Sequence, residues 1–245
     1  GTTGSMAFDG SNDFVNIGTP ATWDAIIGDA EGSTRKMTFA AWVRKTGGGG
    51  GGGGGFGRII DFGRSDIDFW STPDEKISFK AKWGGGNLIW KTAASAFSRN
   101  SWTHIVVSYD AGSYDNDPKI YVNGVAQTVS LDSGTRTGTF DGIADQNCSI
   151  GNWDTRDRAF EGQLADVAVW NSILLEDEVR AIYSAATIKS DTHTVGELGP
   201  ADLRARIGAL QTTPPGSSAA AASGRLSGSL DEFRFWKTSR TSKEI

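Results

Sequence analysis

The sequence predicts an all-β fold, a two-sheet antiparallel sandwich over residues 6–186 with a short C-terminal helix. Three observations predict it. Short apolar runs of strand length recur along the chain, rich in β-branched and aromatic residues, and several alternate. Turn residues separate them at short intervals, and helical periodicity is confined to the end of this region. Many short strands joined by regular turns are the pattern of sandwiches and barrels.

The runs fall at residues 7–8, 14–17, 37–43, 58–62, 77–81, 87–90, 103–109, 119–122, 125–131, 148–150 and 163–170. Asn123-Gly124 lies between two of them and is a strong two-residue hairpin signal. Residues 175–185 carry Val179, Ile182 and Tyr183 at helical spacing, with Glu176 and Asp177 in the first turn, where carboxylates suit the helix dipole. Nine Trp and twelve Phe supply a sizeable core, and Trp42, Trp90, Trp102, Trp170 and Trp236 lie in strand patterns that place them there.

Gly47 to Gly55 is an unbroken run with no side chains to pack, so it reads as a mobile loop between two strands. Composition shifts after residue 187. Residues 187–224 read as a linker containing a short helix over 200–210, with Pro200 at its start and Leu203, Ile207 and Leu210 on one face.

A repeat follows. The segment Gly162 to Trp170 returns as Gly228 to Trp236 at a constant offset of 66 residues, pairing Leu164 with Leu230, Val167 with Phe233 and Val169 with Phe235. The register carries on to Glu178/Glu244 and Val179/Ile245. Residues 225–245 therefore read either as the closing strand of a second, incomplete sandwich or as a similar edge strand of the first.

Net charge is −5 with a pI near 5.1, and no long basic stripe exists, which argues against nucleic acid as a partner. Cys148 is the single cysteine, so no disulfide forms within the chain, and this leaves the compartment open. The sequence shows no signal peptide and no apolar run long enough to insert into a membrane.

At this point the residues resemble a known family. Met6-Ala-Phe-Asp-Gly-Ser-Asn-Asp-Phe-Val looks like the opening strand of laminin-G-like, concanavalin-A-like jelly rolls. Phe39-Ala-Ala-Trp-Val, Asn100-Ser-Trp-Thr-His-Ile-Val-Val-Ser-Tyr-Asp and Ile120-Tyr-Val-Asn-Gly-Val look like their internal strands. Ile150-Gly-Asn and then Phe160-Glu-Gly-Gln-Leu-Ala-Asp-Val-Ala-Val-Trp-Asn look like their closing strand. The resemblance implies two packed antiparallel sheets, binding of glycans or proteins, a Ca²⁺ cofactor at the rim, and tandem copies in secreted adhesins and in phage or viral surface proteins. Fold alone does not fix function.

Catalysis finds little support. Hydrolase relatives carry Glu-x-Asp-x-(x)-Glu on one strand to place acid and nucleophile across the cleft, and no such stretch exists here. Glu176-Asp177-Glu178 opens a helix, His104 is a packed strand residue, and His193 lies in the linker with no Ser or Cys partner nearby. For Ca²⁺ the loops offer Asp61, Asp66 and Asp68, then Asp115, Asn116 and Asp117, and, as first choice, Asn152, Asp154 and Asp157 at a strand end. Asp and Asn also serve turns directly, and no set has the spacing of a defined calcium loop. For glycans the loop-borne aromatics Trp70, Trp83 and Trp153 are candidates, the last flanked by Asn152 and Asp154.

The expectation is a non-enzymatic carbohydrate- or receptor-binding module of a larger surface or virion protein, extracellular or on a virion surface. Its partners would be a glycan or protein receptor and other domains or subunits of an assembly. Two alternatives stand beside it: a structural component of a viral or phage particle with no small ligand, and a divergent glycoside hydrolase.

Overall fold

The structure is a computed structural model, and the described residues are 4–48, 56–63, 66–96, 98–144, 147–153 and 155–188. The chain divides into two units, residues 1–191 and 192–245. The expected linker after residue 188, the 200–210 helix, His193, Trp236 and the second copy of the repeat lie outside the described residues, as do Gly49 to Gly55 and Asp154.

Thirteen strands are described: β1 Ser5–Asp9, β2 Val15–Gly18, β3 Lys36–Lys45, β4 Gly57–Phe62, β5 Ile67–Ser71, β6 Ile77–Trp83, β7 Gly86–Thr92, β8 Thr103–Asp110, β9 Lys119–Val122, β10 Val125–Ala126, β11 Val129–Ser133, β12 Cys148–Ile150 and β13 Glu161–Trp170. Two helices accompany them, α1 Pro20–Ile27 and α2 Glu176–Ile188. The strands form a six-stranded sheet, β1-β13-β3-β8-β9-β10, and a seven-stranded sheet, β11-β7-β6-β5-β4-β12-β2. The pairings are antiparallel, as expected for an all-β jelly-roll sandwich.

Alternation places the core. Ile60, Phe69, Phe79 and Trp90 face one another in register across β4, β5, β6 and β7, and all four are buried. Met37, Phe39, Ala41 and Val43 on β3, with Ile105, Val107 and Tyr109 on β8, belong to the same apolar cluster from the other sheet. Phe39 reaches Phe62 and Phe79 across the interface at ring separations of 5.4 and 6.2 Å. Side chains of successive strand residues point to opposite faces, so the neighbours of these residues line the two outer faces.

The Asn123-Gly124 hairpin forms as expected, with φ of +50° and +76° joining β9 to β10. Three features differ from the sequence reading. The run 125–131 is two strands in different sheets, because Gln127 donates its backbone N–H to Ile120 and the chain then leaves β9 to pair with β7. Helix α1 is eight residues long, too short for a periodic pattern, and is held by Trp23, whose ring meets Phe62 at 5.0 Å and whose indole N–H donates to the Ile17 carbonyl at 2.8 Å. Strand β5 was hidden because Asp66 and Asp68 read as turn residues, yet Ile67 and Phe69 point inward while Asp68 and Trp70 point outward.

Helix α2 covers part of the outer face of the six-stranded sheet. Val179 packs on Ala40, Val106 and Tyr121, and Tyr183 stacks on Trp42 and His104. Its acidic first turn matches the expectation, and Glu178 accepts the Leu175 N–H at 2.7 Å as an N-terminal cap.

Candidate functional site

The outer face of the seven-stranded sheet carries a different population. Opposite the Ile60–Phe69–Phe79 row, β4, β5 and β6 present Arg58, Asp61, Asp68, Trp70, Ser78 and Lys80. A bulge between Arg58 and Ile60 brings Arg58 opposite Trp70 on this face. Arg58 is 7% exposed, Asp68 1% and Lys80 7%, so these charges are closed from water. They compensate one another: Arg58 Nε lies 3.1 Å from Asp68 Oδ2 and Lys80 Nζ lies 3.8 Å from the same oxygen. A buried carboxylate between two cations is the arrangement in which their mutual attraction offsets part of the desolvation of all three.

The Arg58 guanidinium lies 4.4 Å from the Trp70 ring centre and 5.4 Å from that of Trp153. Arg158 reaches the Trp153 ring at 5.0 Å. Two of the aromatic residues singled out from the sequence are therefore brought together, with an arginine between them. Such contacts are worth about 0.5–2 kcal/mol each, more where water is excluded. Trp153 is half-buried, whereas Trp70 is buried against Arg58. Arg58 Nη1, Trp70 Nε1 and Ser78 Oγ have no hydrogen-bond partner among the described residues. Arg58 and Lys80 are the residues that sequence reasoning missed; the signal was there in the alternation of Arg58 and Lys80 against Ile60 and Phe79.

The loop after β12 places Trp153. Gly151 has φ of +85°, and a Cβ there would come within 2.0 Å of the Phe8 ring, so only glycine allows the chain to turn at this point. Asn152 is fully buried, and its Oδ1 accepts the N–H groups of Trp153 and Arg158, each at 3.0 Å, while its Nδ2 donates to the Asp13 carbonyl at 3.3 Å. Asp157 accepts from the Trp153 indole N–H and, at 2.8 Å, from the Thr155 hydroxyl. Burial acts to raise the Asp157 pKa, but the hydrogen bonds from Thr155 and Trp153 outweigh it and hold the carboxyl below its usual value.

These contacts bear on the calcium expectation. Asn152 and Asp157 already accept N–H and O–H donors, which makes them scaffolding for Trp153. Asp66 is paired with Lys82 at 3.0 Å and accepts the Ala144 N–H, and Asp68 is held by Arg58 and Lys80. Asp117 accepts from the Trp90 indole at 2.6 Å and pairs with Arg136; Asp115 N–H donates to Ser113, and Asn116 donates to the Asp110 carbonyl. Among the described residues no group of three or more His, Cys, Asp or Glu gathers that could hold a metal ion; Asp154, expected beside Asn152, lies outside them.

Trp83 lies elsewhere. It closes β6 inside the core, 4% exposed, against Phe140 at 5.5 Å and Tyr114 at 5.9 Å, and its indole donates to the Tyr109 hydroxyl at 3.2 Å. The glycine run that follows it marks the turn into β7, not an open platform. Of the tryptophans expected in strands, Trp90 is fully buried and Trp42 nearly so, Trp170 is half-buried, and Trp102 lies just before β8 rather than in it and is half-buried.

A family model described as the concanavalin A-like lectin/glucanases superfamily matches residues 9–180. The sequence has no significant match among curated proteins. Among solved structures, the receptor binding domain of botulinum neurotoxin mosaic serotype C/D superposes with a TM-score of 0.51 at 12% identity, covering 75% of this chain and 42% of that one. The Ruminococcus gnavus IT-sialidase CBM40 gives 0.48 at 12% identity over 75% of this chain and 100% of that one. A heptameric SAP-like pentraxin from Limulus polyphemus gives 0.44 at 13%, over 73% and 81%. At such identities the likeness is one of fold.

Proposed function

The chain belongs to the concanavalin A-like lectin/glucanase superfamily, and from that premise we propose that it is a non-enzymatic carbohydrate- or receptor-binding module whose ligand meets the outer face of the seven-stranded sheet at Trp153, which Arg58 backs from below. One observation carries the reading: the half-buried Trp153 ring stands on the outer sheet face against an arginine that also meets the buried Trp70 ring. Sugar rings stack their C–H faces on indoles, and the buried guanidinium fixes the Trp153 ring by its cation–π contact. The toxin receptor binding domain shares the fold, which supports receptor binding as the wider class. A binding module of this kind acts outside the cell or on a particle surface. Among the described residues no helix is long and apolar enough to cross a membrane.

A glycan array probed with the full chain, in Ca²⁺ and in EDTA, tests the reading. Binding should be reproducible and should fall by roughly tenfold or more in Trp153→Ala, the effect of about 1.4 kcal/mol from one stacking contact. Retained binding in that variant would remove the site from consideration.

The second reading, a structural part of a larger assembly on a virion or other surface, is favoured by the repeat at an offset of 66 residues. It predicts an array without signal and stable self-association or association with neighbouring modules. Under either reading no polysaccharide is turned over; turnover that disappears in Asp68→Asn would instead establish a hydrolase.

A further inference from the structure

The other sheet carries a cavity that this binding role does not use. It lies on the outer face of the six-stranded sheet beside α2, has a volume of about 250 Å³, and is lined by Ala40, Trp42, His104, Asp166, Trp170 and Ile182, with alanines completing it. Strand β13 builds it through a bulge. Ala165 faces Trp42 and Ala168 faces Ala40, so β13 holds one residue more than β3 between these points. Within the bulge, Asp166 takes φ of +47°, a left-handed conformation that aspartate tolerates better than most residues. Bulges of this kind re-aim side chains, and Asp166 is exposed at the cavity.

His104 also lines the cavity, 4% exposed, with its Nδ1 buried and without a hydrogen-bond partner among the described residues. Burial lowers its pKa to about 4, with the Asp166 charge opposing the shift, so the imidazole is neutral at pH 7. The lining thus offers one exposed negative charge and otherwise apolar and aromatic surface, with Trp170 half-buried in it. An anion would be repelled by Asp166. A sugar would bring many hydroxyls to a wall with one exposed charge and leave most of them unpaired. A neutral apolar ligand would leave the Asp166 charge without a counter-charge. An ammonium group on an apolar stem satisfies the lining: the charge meets Asp166, the stem meets Ile182 and the alanines, and the Trp170 ring attracts the cation.

We propose that this cavity is a second binding site, independent of the glycan face, for an aliphatic ammonium group on a short apolar stem, the chemistry shared by free alkylamines and the lysine side chain. The test is an NMR titration of the full chain with n-butylammonium, alongside n-butanol, butyrate and methyl glucoside. A second arm uses Nα-acetyl-lysine amide. Butylammonium should give saturable shifts confined to the Asp166, Ala168 and His104 amides and the Trp170 indole. The expected Kd is on the order of 1 mM, weaker than the ceiling for so small a ligand. Asp166→Asn and Asp166→Gly both suit a positive φ, so both should fold, and both should weaken binding by about tenfold. Trp153→Ala should leave it unchanged. A lysine derivative that binds as tightly as butylammonium assigns the site to lysine side chains, and a weaker one assigns it to free amines. The proposal is overturned by equal shifts from butanol or the glucoside, by Asp166 variants that bind normally, or by no saturable shift at all.

Discussion

The two sheets of this sandwich turn opposite characters outward. On the six-stranded sheet, Ala40, Val106 and Tyr121 are covered by Val179 of α2, and Trp42, His104 and Tyr183 stack around them. On the seven-stranded sheet, equivalent outward positions hold Arg58, Asp68, Ser78 and Lys80, equally closed from water. Closing apolar side chains stabilises a fold outright. Closing charges incurs desolvation, which their mutual attraction at best offsets, so apolar residues would serve stability as well there. The difference teaches where to look for the glycan site: beneath α2 the packing around Val179 accounts for the buried residues, and on the Arg58 face packing does not.

The comparison breaks most visibly at Arg58. Arg58→Ala leaves the buried Asp68 carboxylate with Lys80 alone, at 3.8 Å, and should lower stability by about 3–5 kcal/mol in urea unfolding. The double variant Arg58→Met/Asp68→Leu should regain most of that stability while ligand binding stays lost. If the double variant is no more stable than Arg58→Ala, the charges are structural and the contrast between the faces fails.

Acid acts on the opposite face. His104 is lowered from 6.5 to about 4 by burial, so between those values the unfolded chain binds the extra proton. Stability is then full above pH 6.5 and falls as pH drops toward 4, by roughly 3 kcal/mol from this residue. His104→Phe should flatten that part of the pH profile. A milder loss, about 2 kcal/mol, is expected for Val179→Ala beneath α2. Smallest of all is Ser78→Ala on the charged face. The Ser78 hydroxyl is buried with no hydrogen-bond partner among the described residues, so its removal should shift stability by no more than about 0.5 kcal/mol in either direction.

Most of this architecture was legible in the sequence, because alternation over strands such as 37–43 and 103–109 reports one buried face directly. Strand β5 was not, since Asp68 between Ile67 and Phe69 looks like a turn until its partners Arg58 and Lys80 are known, and those lie on other strands. The site was half legible. Trp70 and Trp153 were singled out for their positions near loops and do meet, across Arg58. Trp83 had the same local signature and belongs to the core, because only the pairing of β6 with β7 brings Phe140, Tyr114 and Tyr109 around it. Asn152 and Asp157 accept the N–H groups that hold Trp153 in place; loop amides and carboxylates serve turns and metals alike, so the sequence alone does not separate the two roles.

The most direct measurement of the central claim is the affinity of the wild-type chain and of Trp153→Ala for the strongest glycan on the array, with Asp166→Asn as a control on the other sheet. The account predicts binding lost in Trp153→Ala and intact in Asp166→Asn. Binding that survives Trp153→Ala and disappears in Asp166→Asn would contradict it, and would move the glycan site to the face beside α2.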